Sequence, residues 1–249
     1  MTLWVAIDFD GVICDSVDEC HITALNAYHR MTGDIRWVST IDDLDPEAVQ
    51  RFRRLRHLAR NASEFWLVIH LTYNDPGLDG PRHFDDLRQH HLHTLTEFEP
   101  LFFQARNRYR ADSPRRWLDL HRMYPEFRDG WDQLKTRFPT FIVTTKDLTS
   151  IRLFNEHWEL GVPEDRIWTK ERGTDKTQAI QHLADSLDIS PTDFVFIDDH
   201  PHHVLEVASL GAKCFWASWG FLGTYGDSPE PDNRYITINR LAELLPYLI

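Results

Sequence analysis

Asp8 and Asp10 stand one residue apart at the end of an apolar run, residues 3–7, and are the first side chains here that could do chemistry. The segment 4–15 reads WVAIDFDGVICD. A short continuous apolar run of this kind is the pattern of a strand buried on both faces, as in parallel sheets. Open α/β sheets gather their ligands at the carboxyl ends of such strands. With the backbone extended through Phe9, both carboxylates project to the same side. Two neighbouring anions repel, so the pair calls for a cation or a shared proton.

Two further apolar segments end in the same manner. TFIVTT (140–145) closes on Thr144, Thr145 and Lys146, and DFVFIDD (193–199) closes on Asp198 and Asp199. Lys176 opens a helical pattern between them. Together these ends supply a carboxylate nucleophile, a second carboxylate, a hydroxyl, an ammonium and oxygen ligands for a metal. That set suits phosphoryl transfer through a covalent aspartyl intermediate, with Mg²⁺ neutralising charge between nucleophile and phosphate.

The elements that must position these groups fall into two kinds. After Asp15 the patterns are helical: 16–31 ending before Gly33, 46–60 opened by Pro46, 62–73, a long amphipathic stretch 83–110, and 114–123. Asn74-Asp75-Pro76-Gly77 is a turn signal within this stretch. From Pro125 strands and helices alternate: helices at 127–138, 148–160, 176–187, 204–210 and from 239, and strands at 140–145, 166–169, 193–199, 214–219 and 235–238. Alternation of this sort implies parallel βαβ units. The predicted architecture is therefore α/β, a doubly wound parallel sheet formed by residues 1–14 and 125–249. An all-helical cap, residues 15–124, is inserted after the first strand.

Composition narrows the function. Hydrophobic residues make up 42% and charged residues 27%, which fits a packed core. A net charge of −12 argues against nucleic acid as a partner. No apolar run reaches membrane-spanning length, and the three cysteines form no metal or redox spacing, so a cytoplasmic protein is expected. Every basic residue between 15 and 130 is an arginine. Most suit a solvated helical surface. One or two, with Arg51, Arg53, Arg54 and Arg56 as candidates on one helix, would grip an anionic group of a substrate.

DFDGV, FIVTTK, the isolated Lys176 and FIDDHPHHVLEVASLGA occur in the order of the four motifs of the haloacid dehalogenase superfamily, which this chain resembles. WASWGFLGTYG is similar to the strand and loop that follow in the phosphoglycolate phosphatase-like branch. The resemblance implies Asp8 as nucleophile and Asp10 as the acid that protonates the leaving alcohol and later activates water. It implies Thr144 on a phosphoryl oxygen, Lys176 balancing Asp8 and the phosphate, and Thr145 and Gly11 as substrate-binding positions. Mg²⁺ would be held by Asp8, the Asp10 main-chain carbonyl and Asp199, with Asp198 in the place of the family's glycine. Thr145 also reads as a loop cap, Lys146 as a solvated charge, and Lys170 as a rival to Lys176. Of His200, His202 and His203, which invite a zinc reading, His200 is expected nearest the site. His90, His91 and His93 read as ordinary helix positions.

The implied activity is hydrolysis of a small phosphorylated metabolite by a monomer or homodimer. A phosphomutase of the β-phosphoglucomutase type shares D-x-D-G-V-I and is the nearest alternative. A catalytically idle binding protein on the same fold is another, since fold alone does not give function. Dehalogenation does not call for Asp10 as a leaving-group acid.

Overall fold

The computed structural model describes residues 3–74, 81–226, 229–230 and 232–248. The turn expected at 74–77 lies, beyond Asn74, outside them. The strands are β1 (Trp4–Ile7), β2 (Cys14–Asp15), β3 (Arg122–Met123), β4 (Thr140–Val143), β5 (Ile167–Trp168), β6 (Phe194–Asp198), β7 (Lys213–Ala217) and β8 (Tyr235–Ile238). The helices are α1 (Val17–Met31), α2 (Pro46–Leu55), α3 (Phe65–Tyr73), α4 (Pro81–His90), α5 (Leu92–Asp112) and α6 (Pro114–Asp119). They continue with α7 (Pro125–Arg137), α8 (Leu148–His157), α9 (Lys176–Leu187), α10 (Pro201–Ala208) and α11 (Phe221–Tyr225). The chain divides into two compact units, residues 1–15 with 123–249, and residues 16–122.

The first unit is built on a six-stranded sheet in the order β5-β4-β1-β6-β7-β8, parallel throughout. β1 lies in the middle, with Val5–Ile7 fully buried, which explains its unbroken apolar character. Strand order reverses on either side of β1, so the carboxyl ends of β1, β4 and β6 meet where a doubly wound sheet has its crevice. Register is tight there: Ile7 is opposite Ile142 on one side and Ile197 on the other. Ala6, Phe141, Phe194, Phe196, Ala179, Ile180 and Val204 form the core beneath α9 and α10.

Three expected elements end differently. α8 stops at His157 rather than 160, because Glu159 and Gly161 take positive φ and Leu160 N–H bonds back to the Asn155 carbonyl at 3.0 Å. α10 begins at Pro201, its helix-favouring first position, ahead of Val204. The final segment, Leu241–Leu248, is a 3₁₀ helix with Pro246 inside it, where an α-helix was expected.

The second unit is helical. The long helix expected over 83–110 is instead α4 and α5, broken at His91, whose backbone (φ −113, ψ 21) leaves the helical region. The run expected to 123 stops at Asp119, and β3 follows. Phe52, Phe65, Leu67, Ile69, Phe98 and Phe102 form this unit's own core, with Phe65 stacked between Phe52 and Phe102. Within it lies a buried ion pair. Arg106 grips Glu19 with Nε–Oε1 at 2.8 Å and Nη2–Oε2 at 2.7 Å, and Thr23 and Trp117 also donate to Glu19. No helix among the described residues is long and apolar enough to cross a membrane.

Such a fork is stable only as a pair, since removing one partner strands a buried charge. Arg106→Met should lower the unfolding free energy of the chain by about 3–5 kcal/mol in a denaturant titration. Glu19→Gln combined with Arg106→Met should recover part of it. A loss below about 1 kcal/mol for the single change would show that Glu19 finds other compensation.

Candidate active site

β1 delivers Asp8, whose amide donates to the Ile197 carbonyl at 2.9 Å and so ties it to the end of β6. Phe9 points the other way, into Phe154 and Trp158, with ring centroids at 5.3 and 6.1 Å. This alternation leaves Asp8 and Asp10 for the crevice side. The chain then turns at Gly11, whose φ of +93° favours glycine, and Ile13 and Cys14 amides fold back onto the Phe9 carbonyl.

Lys176, at the start of α9, donates to Asp8 Oδ1 at 2.6 Å and to the Val143 carbonyl at the end of β4. Asp175 caps that helix by accepting from the Gln178 amide, which fixes where Lys176 emerges. Lys170, its rival in the sequence, follows β5, with its amide bonded to the Lys146 carbonyl at 3.3 Å. Thr144 is buried just past β4, and its hydroxyl oxygen accepts from the Lys146 amide at 3.1 Å. Thr145 is half-buried in the same turn.

Lys146 overturns the reading as a solvated charge. Only 2% exposed, it forks its ammonium onto both Asp10 oxygens at 3.1 and 3.3 Å. Phe9 and Phe154 rings lie 5.8 and 5.9 Å from the same nitrogen. A buried lysine without a carboxylate would be costly, and Asp10 supplies one. Position alone, three residues beyond a buried strand's end, was the available signal for it.

Asp8, Asp198 and Asp199 each place a carboxylate oxygen within 4.8 Å of the others. Asp198 is already committed: it accepts from the His200 amide at 2.8 Å and from His203 Nδ1 at 3.2 Å, and lies 3.8 Å from Lys176. Burial pushes its carboxyl up, but His203, Lys176 and the His200 amide outweigh it and bring it down to about 2. Burial also lifts Asp8, to about 6, with Lys176 opposing and Asp198 adding to the rise. His203, rather than the expected His200, is the histidine that reaches the carboxylates. Burial favours its neutral form, yet the Asp198 charge raises its pKa above the ordinary histidine range. His200 is turned to its own helix, where Nδ1 accepts from the His202 amide, and His202 pairs with Glu206 at the surface.

Asp199 is held by three groups that sequence patterns did not single out. Phe221 N–H donates to Oδ2 at 2.8 Å, Trp216 Nε1 donates to its carbonyl at 2.8 Å, and Gly220 packs against its side chain. A Cβ on Gly220 would lie 2.2 Å from the Asp199 Cβ and 2.5 Å from the Gly11 carbonyl. One on Gly11 would meet the Asp199 carboxylate at 2.3 Å. Trp219 donates from Nε1 to the Val12 carbonyl at 2.9 Å. These contacts close the loop after β7 onto the turn after β1.

The donor set is all oxygen, with buried carboxylates in excess of the adjacent cations, and so fits a hard divalent cation such as Mg²⁺ better than zinc. Asp8 and Asp199 are the carboxylates that could hold it.

In the second unit, the arginines of α2 are mostly engaged. Arg53 pairs with Asp18, Arg51 Nε donates to the Leu71 carbonyl at 2.9 Å, and Arg56, just past the helix, donates to Ala59 and lies over Phe65. Arg54 is exposed. Of the helix histidines, His91 packs its ring near Trp66 and His70, His90 bonds the Asp86 carbonyl, and His93 is exposed.

A parallel doubly wound sheet with two aspartates after its central strand, a hydroxyl and a lysine after the next, and an acidic pair after the third defines a hydrolase of one well-populated class. The family model for haloacid dehalogenase-like hydrolases matches residues 3–211, and the chain belongs to that family. Solved structures resemble it over nearly their whole length at low identity. A haloacid dehalogenase-like hydrolase from Streptococcus pneumoniae is 17% identical with a TM-score of 0.62, covering 100% of this chain and 99% of its own. A predicted phosphoglycolate phosphatase from Haemophilus somnus is 12% identical with a TM-score of 0.58, covering 99% and 97%. A 2-haloacid dehalogenase from Pseudomonas syringae is 14% identical with a TM-score of 0.52, covering 100% and 98%. At these identities the likeness is one of fold. No curated protein sequence matches the chain.

Gly220→Ala tests whether the loop closure positions Asp199. It should weaken Mg²⁺ binding, measured by calorimetry, about 10–100-fold, the usual effect of disturbing a ligand's support. Unchanged affinity would show that Asp199 does not depend on this contact.

Proposed function

We propose that this hydrolase is a Mg²⁺-dependent phosphatase that cleaves a small phosphomonoester through an aspartyl phosphate on Asp8. The observation that carries the reading is Asp10, a second carboxylate on the crevice side of β1, oriented by the buried Lys146. Phosphate ester cleavage needs a proton for its leaving alcohol and, afterwards, a base for water; halide departure needs no such acid. For that reason the reading favours phosphatase chemistry over that of the dehalogenase relatives.

In the first step an Asp8 oxygen attacks phosphorus, the bond to the leaving oxygen breaks, and Asp10 gives that oxygen its proton. In the second, Asp10 takes a proton from water as the water oxygen attacks phosphorus, and Asp8 leaves as carboxylate. Lys176, 2.6 Å from Asp8, stabilises the charge that passes onto and off it. Thr144 offers its hydroxyl to a phosphoryl oxygen, and Thr145, in the turn after β4, and Gly11, in the turn after β1, are the substrate-binding candidates. Mg²⁺, when bound, supplies charge neutralisation between Asp8 and the phosphate. Asp198 is assigned the task of holding Lys176 and His203 in place.

Substrate selection is assigned to residues 16–122, and their arginines favour a substrate with a second anionic or strongly polar group. A mutase would use the same Asp8 and Asp10; it would turn over a sugar phosphate isomer without releasing phosphate.

The acid role of Asp10 predicts a leaving-group effect. Asp10→Asn should lose about 10²–10⁴-fold in kcat/KM with alkyl phosphates. With p-nitrophenyl phosphate, whose leaving group departs unprotonated, the loss should be much smaller. Equal losses on both would contradict the assignment.

A further inference from the structure

Two buried lysines face the aspartates that follow β1, one for each. Lys176 donates to Asp8 Oδ1 at 2.6 Å, and Lys146 donates to both oxygens of Asp10 at 3.1 and 3.3 Å. Lys176 has its part in the phosphoryl steps, but none of the roles that the family resemblance implies falls on Lys146. The Lys146 side chain is fully buried, whereas that of Asp10 is 17% exposed. The Asp10 carboxylate is thus seated against a cation on its buried side and open on the other.

The seat itself is rigid. The Lys146 ammonium lies 5.8 Å from the Phe9 ring and 5.9 Å from that of Phe154, within cation–π range, and the two rings pack together at 5.3 Å. Phe9 stands between Asp8 and Asp10, so the turn after β1 supplies both the acid and part of the wall around its partner. The Lys146 backbone is fixed as well. Its amide donates to Thr144 Oγ1 at 3.1 Å, and its carbonyl accepts from the Lys170 amide at 3.3 Å. The next residue, Asp147, caps α8 by accepting from the Ser150 amide at 3.0 Å and the Ser150 hydroxyl at 2.7 Å. A normally flexible four-carbon stem is held in one place, as a group that must orient another requires.

The fork has a chemical consequence. A carboxylate has about four lone-pair positions, two on each oxygen. Lys146 occupies one on each oxygen, which fixes the plane of the carboxyl group and leaves the outward positions for a leaving oxygen or a water. When Asp10 carries the proton that it gives to the leaving alcohol, one oxygen still accepts from Lys146 and the other keeps its outward direction. The same residue orients Thr144 through its backbone. Because Thr144 Oγ1 accepts from the Lys146 amide, the hydroxyl proton is left for a phosphoryl oxygen.

We propose that Lys146 is a positioning residue of this phosphatase, whose ammonium sets the plane of the Asp10 carboxyl so that one of its oxygens meets the leaving oxygen of the substrate. The proposal rests on the phosphatase reading and makes leaving-group protonation depend on a second residue. A general acid must lie within hydrogen-bond reach of the atom it protonates, and a misplacement of about 1 Å costs about 10²-fold in rate. A lysine that only balanced a buried charge would act differently. Its loss would lower all activities alike, through the amount of folded protein.

Lys146→Met keeps an apolar stem and removes the charge. The test compares kcat/KM of the wild-type chain, Lys146→Met, Asp10→Asn and the double variant, with Mg²⁺, on glycerol 2-phosphate and on p-nitrophenyl phosphate. Lys146→Met should lose about 10²-fold on glycerol 2-phosphate and at least about tenfold less than that on p-nitrophenyl phosphate. The double variant should lose no more than Asp10→Asn alone, because both changes remove one function. In Lys146→Ala, n-propylammonium replaces the atoms removed and should restore activity on glycerol 2-phosphate at least about tenfold, while n-propanol should not. This arm serves where Lys146→Met does not fold. A leaving-group effect in Asp10→Asn with equal losses on both substrates in Lys146→Met, or no gain from n-propylammonium, overturns the inference and leaves the phosphatase reading standing. No phosphate release from either substrate by the wild-type chain contradicts that reading and the inference together.

Discussion

Buried carboxylates repel one another, and the sheet of this protein nevertheless holds three of them within reach of one metal-sized point. Parallel pairing in register forces the convergence. With Ile7 opposite Ile197, the residues that follow β1 and close β6 are neighbours whatever their charge. Lys176 and His203 lie against Asp8 and Asp198, and Asp10 is matched by Lys146. Burial, with the Asp198 charge adding to it and Lys176 opposing, lifts Asp8 to about 6. A divalent cation at this point would offset that rise and keep Asp8 ionised as a nucleophile.

The surrounding structure divides the work of holding these groups. Lys176 is placed by a capped helix and anchored to the end of β4, so it bridges two strands as well as two charges. Asp199 is placed by backbone close approach. Gly11 and Gly220 leave room for its side chain where any Cβ would collide, and two tryptophan indoles fasten the loops around it. Asp198, in the position where related motifs have glycine, is satisfied by His203 one helical turn on. The departure from the family pattern is thus a matched pair rather than an isolated acid. The helical unit has its own core and its own buried ion pair, Glu19 with Arg106.

Much of the sheet and of the carboxylate cluster was legible in the sequence, because both follow from local patterns. Apolar runs ending in Asp8, Thr144 and Asp198 have the signature of buried parallel strands, and the parallel topology then brings their ends together. What escaped were partners chosen by tertiary packing. Lys146 looks identical in sequence to any charged residue after a strand, and only the rings of Phe9 and Phe154 around it make it a buried one. His203 and His200 have the same chemistry, and helix geometry alone selects the one that faces Asp198. Gly220 bears no motif of its own, since its φ of −73° is ordinary and its necessity comes from Asp199 lying against it. The break at His91 and the early end of α8 were hidden in the same way, by backbone turns inside otherwise helical composition.

The central claim is that Asp8 becomes covalently phosphorylated during turnover. The most direct measurement is rapid acid quenching of the enzyme with Mg²⁺ and a ³²P-labelled aryl phosphate, whose fast-departing leaving group favours accumulation of the intermediate, followed by peptide mapping. The label should appear transiently on the peptide that contains Asp8, decay as phosphate is released, and be absent from Asp8→Asn. Phosphate release with no label on that peptide at any quench time, or label on a different residue, would contradict it.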